Sequence, residues 1–244
     1  MPRILVVEGL TDATFFQELL RRLYLWNAEV ETESRLGRER IPKIVRGTRS
    51  DGSSLEVEFV NQEGKARIPE RITALLNADI RQFIVAQDIN GDFPNGIVQS
   101  IGRVIYTHLG MAPPTTPVAG HRIEIEGGAI GVIPLGLHQD DELRALGITH
   151  HALEDYLIKL LLEDAELRQR APELGGLLSE ILPTVRRYDG DFNSSKGLFQ
   201  LIKPIVQHGF SDAGVVQKLV ADAEISILRT VVSPLLEDLD RALK

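Results

Sequence analysis

Ile4-Leu5-Val6-Val7-Glu8-Gly9-Leu10-Thr11-Asp12, followed by Phe15, Phe16, Leu19 and Leu20, is the stretch whose reading decides the fold. Four consecutive aliphatic residues predict a strand buried on both faces, as in the middle of a parallel sheet. Gly9 breaks the run, and Thr11 or Asp12 suits the N-cap of a helix over residues 12–26. On a helical wheel Phe15, Phe16, Leu19, Leu20 and Leu23 share an arc with Asp12, so that acid points toward the sheet. Glu8 stands at the carboxyl end of the strand. Both carboxylates therefore belong to the mouth of a strand-to-helix turn, where open α/β sheets place ligands. Asp12 also suits a simple helix cap. Glu8, directly after four aliphatics, needs a partner if it is buried.

Phe83-Ile84-Val85-Ala86-Gln87-Asp88-Ile89-Asn90-Gly91-Asp92 repeats this logic: a buried strand, acids at its carboxyl end, then a turn glycine. Pro94 lies near the start of a helix that reaches about residue 109. Between the two strands, Leu55, Val57 and Phe59 alternate with Glu56 and Glu58, which predicts a strand with one wet face near a sheet edge. Gly64-Lys65 then opens an amphipathic helix to about Asn77, and Lys65 there is placed to hold an anion. Residues 27–54 are polar, with Arg35, Arg38, Arg40, Lys43, Arg46 and Arg49. They read as a solvated loop or a short charged hairpin, or else as a flap contacting phosphates.

Downstream, residues 111–117 are rich in proline and exclude helix. Residues 122–126 and 129–134 flank Gly127-Gly128 as a hairpin. His138 to Asp141 form a polar loop. A helix over 151–163 places Glu154 within its apolar arc and Asp155 on the polar side beside Lys159. An acid inside an apolar arc needs a partner. His138, Asp140, Asp141, His150 and His151 imitate zinc ligands only loosely: there is no HExxH spacing, and adjacent histidines on a helix point apart. These histidines read as solvated loop residues. Beyond Ala171-Pro172 helices are expected over 174–182, 196–207, 212–222 and 224–243, with Lys196 opening one of them. The expected organisation is an α/β domain over 1–170, with a basic insertion at 27–54, and a helical C-terminal extension over 171–244 packing on it.

The chain has 244 residues, 27 basic and 35 acidic, for a net charge of −8. That balance argues against tight duplex binding by surface charge alone, but not against a nucleic acid held at a metal. There is no cysteine, hence no disulfide framework, thiolate metal site or cysteine nucleophile. The absence of a long apolar run or signal-peptide layout makes the cytoplasm the expected compartment, with no membrane partner.

Glu-Gly-x-x-Asp after one strand (Glu8, Asp12), Gly-Lys after another (Lys65) and Asp-x-Asn-x-Asp after a third (Asp88, Asn90, Asp92) resemble the Toprim domain of primases, topoisomerases and nucleases. Leu153-Glu154-Asp155 with a later lysine looks most like the nuclease domain of overcoming-lysogenization-defect (OLD) proteins and its small stand-alone relatives. The family pattern has Asp-x-Asp at the third strand, and this chain has Asn90 at the second of those positions. Asn90 still offers a neutral carbonyl oxygen.

The resemblance implies a Toprim-like (Rossmann-like), largely parallel central sheet flanked by helices. It implies Mg²⁺ or Mn²⁺ held among Glu8, Asp12, Asp88, Asn90, Asp92, Glu154 and Asp155, with Glu8 as acid or base and Lys196 as a charge-neutralising catalytic group. Lys65, Arg38, Arg40 and Lys43 would contact phosphates of DNA or RNA. Phosphodiester hydrolysis or phosphoryl transfer on nucleic acid follows as the expected activity. The alternative is a catalytically weak binding module of a larger defence or repair complex. A separate ATPase chain is a possible partner, as the larger nucleases of this type carry an ATPase domain.

Overall fold

The computed structural model describes residues 3–35, 39–61, 65–91, 93–112, 121–189, 192–206 and 211–243. The first half of the chain runs β1 (Arg3–Val7), α1 (Leu10–Leu19) with a π-helical turn (Leu20–Tyr24), β2 (Trp26–Arg35), β3 (Glu39–Thr48) and β4 (Ser54–Asn61). A 3-10 turn (Lys65–Arg67), α2 (Ile68–Asn77), β5 (Gln82–Asp88), α3 (Pro94–His108), β6 (Arg122–Ile125) and β7 (Gly128–Leu135) follow. The rest is helical: α4 (Asp141–Ala145), α5 (Glu154–Glu163), α6 (Ala165–Gln169), α7 (Leu174–Gly176) with a π-helical stretch (Leu177–Ile181), and α8 (Leu182–Tyr188). It closes with α9 (Ser195–Val206), α10 (Asp212–Asp222), α11 (Ile225–Val231) and α12 (Ser233–Leu243).

Two compact units result. The first comprises Met1–Gln87, Phe93–Pro134 and Pro234–Lys244, and the second Asp88–Asp92 and Leu135–Ser233. The boundary expected at residue 170 falls inside the second unit. The chain is of the α/β class, with one seven-stranded sheet in the order β2-β3-β4-β1-β5-β7-β6.

The centre of the sheet is parallel: β1 pairs with β4 (Leu5↔Phe59) and with β5 (Val6↔Val85). β2–β3, β3–β4 and β6–β7 are antiparallel, so the sheet is mixed, with antiparallel pairs flanking the parallel centre. Short connections between these strands permit only antiparallel return. β4 lies inside the sheet, between β3 and β1, and not near its edge. Its wet face persists because Glu56 is answered laterally: Arg46 on β3 donates to Glu56 (2.6 Å) and to Glu31 on β2 (2.9 Å).

The same pairing explains the basic stretch. β2 and β3 pair antiparallel from Trp26↔Thr48 to Arg35↔Glu39, the charged hairpin rather than the solvated loop, with Glu29 opposite Arg46. Arg40 and Lys43 lie in β3 and Lys65 opens the 3-10 turn, whereas Arg38 and Asp92 lie outside the described residues.

One face of the sheet packs on α2 and α3 through Val6, Val85, Ile72, Ile101, Ile105 and Ile130, each at most 2% exposed. α1 packs across β1, β3 and β4, with Phe15 and Phe16 edge to face at 5.8 Å. The helix begins at Leu10, earlier than expected. Its N-cap is Gly9, in extended conformation, and the buried Asp12 reaches back to accept the Gly9 N–H at 2.8 Å. This is the return half of a capping box. It ends earlier too, since Trp26 opens β2.

In the second unit α5 packs against α6, α9, α10 and α11. Leu157, Leu160, Leu198, Phe199, Val215 and Leu228 are buried there. The helix expected over 224–243 breaks at Val232, where Ser233-Pro234 starts α12 in the first unit. Proline fits the first turn of a helix but not its interior. Among the described residues no helix is long and apolar enough to cross a membrane.

A pair of glycine substitutions tests this packing. A Cβ at Gly128 would fall onto the Arg81 carbonyl, whereas one at Gly175, in α7, would meet nothing within 4 Å. Gly128→Ala should lower stability by about 1–3 kcal/mol, and Gly175→Ala should raise it by about 0.5–1 kcal/mol. Urea midpoints measure both. Equal effects of the two substitutions would contradict the packing described.

Candidate functional site

Three segments of the second unit are laced together by main-chain hydrogen bonds. The Asn90 N–H donates to the His151 carbonyl at 2.6 Å. Thr149 and His150 N–H donate to the Asn193 carbonyl at 2.9 and 3.1 Å, and Ser195 N–H donates to the His150 carbonyl at 3.0 Å. Asn90 adopts a left-handed conformation (φ 53°), and its side-chain amide donates to the Asp88 carbonyl at 3.3 Å. Asparagine is among the few residues that take this conformation readily. Gly91 follows because the His150 ring lies against it: an added Cβ would stand 2.9 Å from Nε2.

This lacing fixes Asp88, Glu154, Asp155 and Lys196. Asp88 is 2% exposed at the end of β5. Its Oδ1 accepts the Leu153 N–H at 3.0 Å, at the amino end of α5, where the helix dipole favours negative charge. Its Oδ2 is 2.6 Å from Lys196 Nζ, in the first turn of α9. Asp88 thus joins two helix starts.

Glu154, like Asp155 at Oδ1, has an oxygen, Oε2, that is buried without a hydrogen-bond partner. Burial pushes its carboxyl up to about 7; the negative charge of Asp88 adds to the rise and Lys196 opposes it. A buried carboxyl in this position is poised between its charged and neutral forms at neutral pH.

Asp155 departs from the expected solvent-facing position and is completely buried. The helices around α5 cover its polar side as well as its apolar one. Asp155 Oδ2 accepts the Leu137 N–H at 2.7 Å and the His151 ring Nδ1–H at 2.8 Å. Lys159, also on that side, is held by Glu142 (2.6 Å), Glu163 (2.8 Å) and Asp140 (3.3 Å). Burial, with the nearby His151, lowers the pKa of His138, although Asp155 works against this.

Of the residues expected from sequence, the second unit therefore brings together Asp88, Asn90, Glu154, Asp155 and Lys196. Glu8 and Asp12 lie in the first unit, directly after β1, with Asp12 engaged on Gly9. His151 is not the solvated histidine that its sequence setting suggests; it is 7% exposed and paired with Asp155. Its spacing of four residues from Asp155 at a helix start is the signal for that contact.

Among the described residues no group of three or more His, Asp or Glu side chains is placed to hold a metal ion. Two carboxylates with the right chemistry are nevertheless present: Glu154, with its orphaned oxygen, and Asp88, whose charge acts on it. A hard cation accepts oxygen ligands of this kind and would relieve both the burial and the repulsion. In comparisons with known proteins, no family model, no curated protein and no solved structure matches the chain.

The raised carboxyl of Glu154 has a measurable consequence without any metal. Folding favours its neutral form. Its contribution is therefore fully present below the ordinary value of 4.5 and is lost as pH rises through about 7. In chelator, the stability of the native protein should fall over that interval relative to Glu154→Gln, which stays neutral. The difference should reach at most about 3 kcal/mol. Urea midpoints of the two proteins from pH 4 to pH 8 measure it, and a difference that does not change with pH would show Glu154 charged throughout.

Proposed function

We propose that the protein is a Toprim-type phosphodiester hydrolase that acts on nucleic acid with Mg²⁺ or Mn²⁺. The observation that carries this reading is the meeting of Asp88, Glu154 and Lys196, three residues of the motifs that resemble the Toprim and OLD-type nuclease pattern, at one place in the second unit. Chance placement of surface acids does not bury Asp88, put a lysine on it and leave a second carboxyl oxygen unsatisfied.

Asp88 and Glu154 would hold the metal ion, which neutralises charge on the phosphoryl oxygens and lowers the pKa of a water nucleophile. The protein's own part is electrostatic and geometric. Asp88 is locked by the Leu153 N–H on one oxygen, so its carboxylate cannot rotate away. Lys196 Nζ, 47% exposed along its side chain, faces Asp88 and can turn to a phosphate oxygen as a point charge. Glu154 accepts or releases a proton near neutral pH. Asp155, through Leu137 N–H and His151, anchors the start of α5 and with it the direction in which Glu154 points.

A specific observation favours the alternative, a catalytically weak binding module: Lys196 already occupies one oxygen of Asp88, and Asn90 replaces a charged ligand with a neutral one. The two readings separate on plasmid and single-stranded DNA and RNA incubated with Mg²⁺, Mn²⁺ or chelator. Hydrolysis should require the divalent ion and fall at least about 100-fold in Glu154→Gln and in Lys196→Ala. Retained nucleic-acid binding without cleavage identifies the binding module. Cleavage that persists in chelator would refute the metal-dependent hydrolase mechanism.

A further inference from the structure

The helical run from α7 to α8, in the second unit, has two unlike faces. Leu177 and Leu182 are 4% and 2% exposed, so one side of the run packs inward. Arg186, one turn after Leu182, is held on that side as well: its Nε donates to the Phe192 carbonyl at 3.0 Å, and a terminal nitrogen donates to the Leu146 carbonyl. Gly147 makes room for it, in a left-handed conformation (φ 68°) where a Cβ would stand 2.6 Å from the guanidinium. The other face is Ile181, Val185 and Tyr188, spaced by four and three residues so that they share one side of the helix. Ile181 is 50% exposed and Tyr188 90%, with Val185 half-buried between them. Because Leu182 and Arg186 hold the helix from the inner side, it cannot turn to bury this stripe.

The charges beside the stripe indicate what covers it. Glu180 and Arg187 are both exposed and stand on one flank two turns apart, about 10 Å along the axis. Neither has an ion-pair partner among the described residues. An acid and a base at the two ends of one stripe are complementary to the same stripe reversed. A two-fold axis near Pro183 runs two copies antiparallel. It sets Ile181 against Val185 of the second copy and brings Glu180 to Arg187 of the second copy, each contact occurring twice. Residues at such an axis meet their own copies and must carry no charge; Pro183 and Thr184, both exposed, meet that condition. An unrelated partner would have to supply an apolar strip and both charges in reversed order, which this chain already does.

We propose that Ile181 and α8 form the contact face of an antiparallel homodimer, with Ile181, Val185 and Tyr188 at its centre and two Glu180–Arg187 pairs at its rim. The stripe is short, so the dimer belongs to the small, weak class of interfaces, with dissociation in the micromolar range. The proposal does not depend on the hydrolase reading, because none of these residues belongs to the cluster around Asp88.

The test is sedimentation equilibrium of the full chain from about 1 to about 300 µM. The mean mass should rise from that of one chain, 27.1 kDa, toward twice that value. Ile181→Ser/Tyr188→Ala, at exposed positions, should weaken association by about tenfold or more. Glu180→Arg alone and Arg187→Glu alone each set like charges together at both rims and should weaken it by about threefold or more. The two reversals combined should restore it, a recovery that neither misfolding nor a contact elsewhere on the chain can produce. A chain that stays monomeric over this range, a dimer unmoved by Ile181→Ser/Tyr188→Ala, or a double reversal that fails to recover would each overturn the proposal.

Discussion

A carboxylate cannot be buried at the end of a strand unless donors answer it, and the second unit is arranged around answering Asp88. One oxygen takes the main-chain N–H of Leu153 and the other takes Lys196. Those two donors belong to the starts of different helices, so the requirement of one side chain fixes where α5 and α9 begin. The strand-like contacts among Asn90, Thr149–His151 and Asn193–Ser195 then supply the rigidity that a lone ion pair lacks. The lysine contributes charge but, being half exposed, little stability by itself.

The cost of this arrangement falls on Glu154. It starts the same helix whose amino end Asp88 caps, and it is held close to a charge of its own sign while being withdrawn from water. Stable folds rarely leave a carboxyl oxygen buried without a donor. Strain of this type is characteristic of places where a protein meets a ligand that completes them. Asp155, one residue on and fully buried, has two donors on Oδ2, although its Oδ1 is also buried without a hydrogen-bond partner. Of these adjacent acids, Asp155 is the one anchored by donors and Glu154 the one raised by burial beside the charge of Asp88.

Charge elsewhere is spent differently. In the β2–β3 hairpin Arg46 bridges Glu31 on β2 and Glu56 on β4. Its surface setting makes those pairs modest in energy, but they keep the edge of the sheet polar and register-specific.

Strong local periodicity determined the elements of this protein: the aliphatic runs of β1 and β5, the alternation of β4, the turn at Gly127 between β6 and β7, and the amphipathic α2 and α3 follow from residue spacing alone. Asp88, Glu154 and Lys196 could also be picked out from sequence as candidates, because the residue types that hold phosphate or metal are few. Tertiary structure decided the rest. Arg46 finds its glutamates on neighbouring strands, the antiparallel flanks follow from connections whose geometry a sequence window does not contain, and α12 leaves the helical region to join the first unit. Asp155 lies on what a helical wheel marks as the polar side. Only the packing of other helices around α5 reveals that this side is buried, because burial depends on what surrounds a residue and not on its neighbours in the chain.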